Sequence, residues 1–326
     1  MTEHHSVLDF ADFKQKYDEE RECTCGHHGH GPVHSHEAEE MPFSDEEIQS
    51  AIAGINEDIA QQADKILQLA AEGKLQKAER RIRKLIEKCL PLVEDNPHGE
   101  VYHLSVDTDY EVVLFAQLMG EKRGDRQIDP VPFPFDRMYH LWGMLLRDLG
   151  KEEKALAKFR IAQAWNPLNT DVYGSLIQHY AMKNDTAKWS ELIREEYGIA
   201  VEPGAVCDAF YHLAMYFMAM GEIGKGMAVL DFIVDRPVFQ AEIAARYGRQ
   251  AYRFAEEFKD TERADLRETL AEFGFVPGPA PKVTAFFLDA AQRAHDMGEK
   301  EIEREMYWHL YELTDDASYR EKSEHV

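Results

Sequence analysis

The clearest structural pattern in the sequence lies in residues 136–167, which read DRMYHLWGMLLRDLGKEEKALAKFRIAQAWNP. Apolar residues recur at three- and four-residue intervals in each half of this stretch, which predicts two amphipathic helices. Gly150 separates the halves where a helix would end, and Pro167 stops the second helix. Gly143 and Ala155 carry little side-chain bulk at the point where the two antiparallel helices would cross, so their backbones can approach closely. The stretch therefore predicts a helical hairpin.

The same residues resemble the tetratricopeptide repeat, a helix–turn–helix unit of about 34 residues. The positions that carry the resemblance are Tyr139, Trp142, Gly143, Leu146, Gly150, Ala155, Phe159, Ala162 and Pro167. A unit near Cys207 also fits well, and weaker units begin near Ile59, Thr170 and Thr284. The unit near Thr170 places Ile177 and Trp189 where the family has small residues. The resemblance spans about residues 44–316 and implies an all-α fold, an α-solenoid or superhelix of antiparallel helical hairpins. An irregular all-α bundle containing one such hairpin is the alternative.

The sequence divides into six segments. These are an acidic, His-rich tail at 1–43, N-terminal helical repeats at 44–128, a proline-rich connector at 129–135, the best-matching repeats at 136–237, degenerate helical repeats at 238–316 and a tail at 317–326. Ser44 and Glu47 form a capping-box pattern that predicts the start of the first helix. Helix-ending glycines are predicted at Gly73, Gly150, Gly221 and Gly298. No convincing strand pattern is present, and residues 97–128 and 238–275 are expected to be helical.

Composition excludes several classes of function. The 326 residues include 61 acidic and 37 basic side chains, which gives a net charge of -24. Such a chain is not expected to bind nucleic acid or an anionic membrane surface, since both demand a basic face. No apolar run is long enough to span a bilayer, no secretory signal is evident, and four cysteines are too few for a disulfide framework. We therefore expect a cytoplasmic protein.

The first helices of the predicted hairpins leave a set of side chains free to line a concave groove. This set is Arg137, His140, Met144, Arg147, Gln178, Met182, Tyr211, Met215 and Met218, with Asp171 and Asp208 beside it. Because methionine is polarisable and repacks easily, the set predicts binding of an apolar or helical segment of another protein. The resemblance likewise implies a non-enzymatic protein-interaction scaffold, of unknown oligomeric state. Alternatively, Met215 and Met218 belong to the core.

One basic cluster interrupts the acidic composition. Lys77, Arg81, Lys84 and Lys88 share a stripe at i, i+4, i+7 and i+11 of a predicted helix. This basic patch is suited to an acidic partner or to the chain's own acidic tail. The alternative is a solvated helix face whose charge is balanced by neighbouring glutamates.

The N-terminal segment holds the densest set of potential metal ligands. They are Cys23, Cys25, His27, His28, His30, His34 and His36. Thiolates and imidazoles suit zinc or nickel, but the Cys-x-Cys spacing does not match a structural zinc finger. The segment therefore predicts a chelating tail, and metal handling is the alternative function. The bland interpretation is a polar leader with adventitious metal affinity.

Motifs for catalysis are missing from the sequence. We find no phosphate-binding loop, dinucleotide-binding glycine pattern or nucleophile elbow. The triplet Tyr-His-Leu occurs at 102–104, 139–141 and 211–213. Its tyrosines and leucines are expected to fill helix seams, with the histidines at the surface, although a cluster of the three histidines is the alternative. We expect no enzymatic activity and no cofactor beyond zinc or nickel in the tail.

Overall fold

The computed structural model describes residues 44–93, 101–106 and 108–326. The chain splits into two compact units, with the division between residues 97 and 98. In the described residues the structure is mostly helical, as the sequence predicts. No helix in this part of the chain is both long enough and apolar enough to cross a membrane.

The first unit is a helical hairpin. Helix α1 (Asp45–Ala71) and helix α2 (Leu75–Cys89) pack together and are followed by a short 3-10 turn at Leu90–Leu92. The predicted capping box starts α1, because the Ser44 backbone N–H donates to the Glu47 carboxylate at 2.8 Å and the Glu47 N–H donates to Ser44 Oγ at 3.3 Å. The buried apolar side chains that join the two helices are Ile59, Ile66, Ala78, Ile82, Leu85, Ile86 and Cys89.

The second unit opens with two strands that the sequence did not predict. Strand β1 (Val101–Ser105) and strand β2 (Gln127–Val131) pair in parallel, and helix α3 (Asp109–Arg123) connects them. The expectation of a purely helical 97–128 segment is thus wrong for the two strands. Strand β1 contains the Tyr-His-Leu triplet, which is helical in its two other copies, so the local sequence does not determine its conformation. Pairing with a distant strand, rather than local propensity, decides its conformation.

The next six helices form three consecutive hairpins. They are α4 (Phe135–Asp148), α5 (Glu152–Trp165), α6 (Thr170–Met182), α7 (Thr186–Ile199), α8 (Pro203–Ala219) and α9 (Ile223–Val234). Each helix packs against the next one in the chain, and α6 also contacts α8. Consecutive packing of this kind lets neighbouring hairpins bury one continuous apolar seam.

The hairpin turns share one backbone conformation. Gly73, Gly150, Gly221 and Gly298 have φ values of 75°, 71°, 82° and 77°, which confirms the predicted helix-ending glycines. In the turn after α4 the Gly150 N–H donates to the Arg147 carbonyl and the Lys151 N–H to the Leu146 carbonyl, both at 2.8 Å. The turn between α6 and α7 has the same pattern but uses Asn184, at φ 55°, in place of glycine. Asparagine tolerates this left-handed conformation better than most residues.

The remaining helices complete the second unit. They are α10 (Pro237–Glu242), a π-helical turn (Ile243–Tyr247), α11 (Gly248–Glu257), α12 (Leu266–Phe273), α13 (Pro281–Met297), α14 (Lys300–Thr314) and α15 (Ala317–His325). Helices α13 and α14 form a further hairpin, as the unit near Thr284 predicts. The expected tail at 317–326 is instead helical, because Asp316 caps α15 by accepting from the Ser318 N–H at 2.9 Å and Ser323 is buried.

Candidate functional site

The predicted groove residues lie on α4, α6 and α8, the first helices of the three consecutive hairpins. We call the side of these helices that carries them the first-helix surface. Arg137, Gln178 and Met182 are exposed, with Met182 58% accessible. His140, Met144, Arg147, Met215 and Met218 are half-buried. The surface therefore combines accessible polar groups with partly covered methionines.

Hydrogen bonds join α4 to α6 across this surface. The ring nitrogen Nε2 of His140 lies 2.8 Å from Ser175 Oγ, and the Arg147 guanidinium donates to the side-chain oxygen of Gln178. Burial lowers the pKa of His140, which favours the neutral imidazole at this contact. Two of the predicted groove residues on α4 are therefore held in place by side chains of the next hairpin.

A second polar cluster joins α8 to the π-helical turn. The Arg246 guanidinium forms an ion pair with Asp208 and lies 3.6 Å from the carboxylates of Asp171 and Glu242. The Tyr247 hydroxyl donates to Asp208 Oδ1 at 2.8 Å. Burial raises the pKa of Asp208, and the Tyr247 hydrogen bond and the Arg246 charge oppose this shift. Arg246 thus ties two of the first helices to a segment outside the hairpins.

Two of the predicted groove residues turn out to pack inward. Tyr211 is only 5% exposed, its ring stacks on Tyr247 with the centroids 3.7 Å apart, and its hydroxyl is buried without a hydrogen-bond partner. Met218 faces α9, where a β-carbon added to Gly226 would lie 2.6 Å from Met218 Cγ. Tyr211 therefore belongs to the packed interior and Met218 is partly covered by α9, so the accessible surface is smaller than the sequence predicts.

The sequence analysis also missed a buried acid–imidazole pair. Glu196 of α7 is fully buried, and its Oε2 lies 2.8 Å from His212 Nδ1 of α8. Burial raises the pKa of Glu196. For His212, burial alone would lower the pKa, but the Glu196 carboxylate raises it above its ordinary value. The His212 ring packs against Gly174 of α6, so the pair links two hairpins.

The predicted basic patch forms a groove in the first unit. Lys77, Arg81, Lys84 and Lys88 of α2 line a concavity of about 480 Å³ together with Arg80, Leu85 and two residues of α1, Asp58 and Gln62. Lys88 Nζ lies 3.4 Å from Asp58 Oδ2, and Arg81 donates to Gln62 Oε1 at 3.1 Å. We call this concavity the basic groove. It brings together all four cationic residues that the sequence singled out.

The predicted metal ligands Cys23, Cys25, His27, His28, His30, His34 and His36 lie outside the described residues. Within the described ranges, no group of three or more histidine, cysteine or acidic side chains could hold a metal ion. The three Tyr-His-Leu histidines have separate partners, Asp129 for His103, Ser175 for His140 and Glu196 for His212. They do not form a cluster with one another.

Comparison of the chain with protein-family models, curated proteins and solved structures finds no significant match. The sequence did not single out Arg246, Tyr247 or Glu196, and it placed His212 at the surface rather than beside a buried carboxylate. Asp208 on α8 points to Arg246 and Tyr247 only indirectly. It is a charged residue that is buried and therefore requires a partner.

Proposed function

We propose that the second unit is a non-enzymatic protein-interaction scaffold, built as a superhelical array of tetratricopeptide-like hairpins. Its ligand is a helical or extended segment of another protein, bound on the first-helix surface. The observation that carries the proposal is the pair of hydrogen bonds by which α4 residues of the predicted groove reach side chains of α6. A surface joined in this way from α4 to α6 presents residues of two neighbouring hairpins to one ligand.

The accessible chemistry of the surface supports a mixed polar and apolar ligand segment. Met182 is largely exposed, and Met144 and Met215 are partly accessible. Their flexible thioether side chains can adapt to apolar residues of a partner. Arg137 and Gln178 are exposed beside them and offer hydrogen bonds to a backbone or to polar side chains. Ordering only a few side chains on binding keeps the entropic cost small.

The proposal is tested by site-specific photocrosslinking in the full chain. A photoreactive amino acid replaces Met182 on α6, and in a matched control it replaces Lys154, which is exposed on the second helix α5. We expect a specific adduct from position 182 and none from position 154. The crosslinked partner segment is then identified, synthesised and used in binding measurements with the purified protein.

The binding step distinguishes a functional surface from an accidental contact. Met182→Glu is expected to weaken binding of the identified segment by at least about tenfold, which corresponds to about 1.4 kcal/mol. Lys154→Glu is expected to leave the affinity unchanged. Equal affinity for the wild type and the Met182→Glu variant, or adducts of equal yield from both positions, would overturn the proposal.

The N-terminal ligand set favours metal handling as a second candidate function. Two thiols and five imidazoles occur within residues 23–36, a density of ligands that suits zinc or nickel. The test uses the full chain and titrates Zn²⁺ or Ni²⁺ by calorimetry. Serine at both cysteines and alanine at the five histidines is expected to abolish stoichiometric binding, whereas alanine at His4 and His5 is not. Undiminished binding by the first variant would refute this function.

A further inference from the structure

The basic groove of the first unit has a large excess of positive charge. It is lined by five cationic side chains and one carboxylate, that of Asp58. Among the described residues, Lys77, Arg80 and Lys84 form no ion pair, and Arg81 is bonded to the neutral amide of Gln62. Lys77, Arg80, Lys84 and Lys88 are exposed, while Leu85 is buried beneath them. The groove therefore offers closely spaced cations to an extended acidic segment.

We infer that the basic groove binds the chain's own acidic segment Asp18–Glu22. This segment, DEERE, has four carboxylates and one arginine in five residues. Residues 1–43 as a whole contain ten acidic and three basic side chains. The segment thus has a net charge of -3 in five residues, the same net charge as Glu37–Glu40, and complements the cationic groove. This inference is independent of the scaffold function proposed for the second unit.

The connecting length allows the contact. Ser44 adjoins α1, the helix that contributes Asp58 and Gln62 to the groove. Asp58 and Gln62 lie 14 and 18 residues beyond Ser44, which along a helix is roughly 20–27 Å. From Glu22 to Ser44 there are 22 residues, which can span at most about 75 Å. A coil of 22 residues has a root-mean-square extent of about 25 Å, close to the distance required.

Covalent connection also favours this occupant over a separate acidic molecule. A segment tethered by a linker whose length matches the span has an effective concentration in the millimolar range. A separate polyanion must instead approach a chain of net charge -24, which repels it. The other acidic cluster in the N-terminal sequence, Glu37–Glu40, is only four to seven residues from Ser44. At about 3.5 Å per residue it reaches at most the Lys88 end of the groove.

The experiment is zero-length carbodiimide crosslinking of the purified full chain, read by peptide mass spectrometry. This reagent couples a carboxylate to an amine when the two are in direct contact. We expect amide crosslinks from residues 18–22 to Lys77 and Lys84, and none to Lys74, which is already paired with Glu72 at 2.7 Å. Raising the salt to about 0.5 M should reduce the yield about tenfold, since exposed charges are then screened within a few ångströms. Crosslinks spread evenly over surface lysines, or none to the groove, would overturn the inference.

Matched variants identify which charges are responsible. Neutralising residues 18, 19, 20 and 22 as D18N, E19Q, E20Q and E22Q should remove the crosslinks. The control, with the same number of charges removed as E3Q, E37Q, E39Q and E40Q, should retain them. Reversing both sides, with D18K, E19K, E20K and E22K in the segment and K77E and K84E in the groove, should restore crosslinks in which the segment supplies the amine and the groove the carboxylate. Loss in the control, or no restoration in the reversed variant, would contradict the assignment.

A mixture of isotopically heavy and light protein separates a contact within one chain from a contact between two copies. Crosslinks within one chain contain only heavy–heavy or light–light peptide pairs, as we expect. Mixed pairs at a substantial fraction would show that a second copy occupies the groove, and would overturn the inference. If a separate acidic partner is the true occupant, the pure protein gives no groove crosslinks.

Discussion

The hairpins α4/α5 and α6/α7 follow each other in the chain and close through the same left-handed turn, yet their seams contain residues of opposite size. In α4/α5, Gly143 faces Phe159 so closely that an added β-carbon would overlap the ring, and Ala155 is fully buried. In α6/α7 the corresponding positions are Ile177 and Trp189, both buried. Two helices can therefore be joined either by removing side-chain volume between them or by filling the space with large side chains.

The third hairpin, α8/α9, supports the first of these solutions with the residues exchanged. Here alanine stands on the first helix and glycine on the second, since a β-carbon on Gly226 would lie 2.8 Å from the Ala214 carbonyl oxygen. Close packing of the two helices therefore requires two small residues that face each other across the seam, and either helix can provide the glycine. It also follows that a hairpin with large residues is equally part of the fold, although its sequence resembles the repeat less.

The largest effect is expected from emptying the large-residue seam. Trp189→Ala should lower the free energy of unfolding by about 3–5 kcal/mol, because neighbouring helices cannot collapse fully into the space. Trp189→Phe is the control and should cost much less, since it keeps most of the ring and removes an indole N–H that is buried without a partner. Urea unfolding measures both. A loss below about 1 kcal/mol for Trp189→Ala would show that α6 and α7 can close like the small-residue hairpins.

The converse change, adding volume to a small-residue seam, ranks second. Gly226→Val should destabilise the second unit by about 3 kcal/mol, because the β-carbon meets backbone that cannot move aside cheaply. Gly174→Ala is the matched control inside a helix, where the nearest contact would be an ordinary 3.5 Å to His212 Cε1. That variant should be neutral or stabilising by up to about 1 kcal/mol through helix propensity. If both variants have equal stability, the close approach of α8 and α9 is not what fixes the seam.

A smaller effect is expected at Gly143, where the obstacle is a ring and not backbone. Gly143→Ala should cost about 2 kcal/mol. In the background of Phe159→Leu the same change should cost about 1 kcal/mol less, since the two sites are in direct contact and therefore couple. A double-mutant cycle by urea unfolding measures the coupling, and additive effects would contradict the predicted contact.

Part of this fold follows from local sequence, and part of it does not. The glycine turns, the capping box at Ser44 and the small-residue seams were predictable because local conformation and local volume decide them. The strand at Val101–Ser105 was not, because its partner lies more than twenty residues away and its Tyr-His-Leu triplet is helical elsewhere. Local sequence patterns reveal local interactions, whereas a parallel strand pair depends on an interaction between distant segments of the chain.

The residues of the candidate site show the same difference between local and distant interactions. Exposed positions such as Met182 and Gln178 followed from helix periodicity, and so did the alignment of the basic patch. Tyr211 was wrongly expected in the groove because Tyr247, which covers it, lies in a segment without a recognisable repeat. The pair of Glu196 and His212 was missed because each residue alone looks like an ordinary surface position. Pairing of buried polar groups is a property of tertiary contacts.

A pH-dependent effect is expected where the two kinds of hairpin meet, at Glu196 and His212. Both have pKa values raised above their ordinary values, so the native state binds more protons than the unfolded state between the ordinary and the raised values. The free energy of unfolding should therefore fall as the pH rises, by at most about 1.4 kcal/mol per pH unit for each proton. For Glu196 the fall in the free energy of unfolding begins near the ordinary glutamate pKa, and for His212 it begins near the ordinary histidine pKa. Asp208, whose pKa is also raised, contributes in the same direction.

Glu196→Gln tests this linkage because it removes the carboxylate but keeps a hydrogen-bonding side chain. Without the carboxylate, burial lowers the pKa of His212, and the sign of its contribution reverses. The free energy of unfolding of the variant should then rise from about pH 5 to 7, or fall less steeply than that of the wild type. Urea unfolding at several pH values measures the slopes, and the imidazole resonances of His212 report its pKa directly. Parallel slopes in the two proteins would contradict the assignment.

The smallest effect is expected in the two left-handed turns, one in each of these hairpins. If each turn needs only a residue in the left-handed conformation, Asn184 and Gly150 should be exchangeable. Asn184→Gly and Gly150→Asn should then each change the free energy of unfolding by about 0.5 kcal/mol or less. Alanine at either position should cost about 1 kcal/mol, because its β-carbon is strained at positive φ. Urea unfolding of the four variants decides the matter. Should Asn184→Gly cost as much as Asn184→Ala, the side chain of Asn184 would have a role beyond its backbone conformation, and the turns would differ as the seams do.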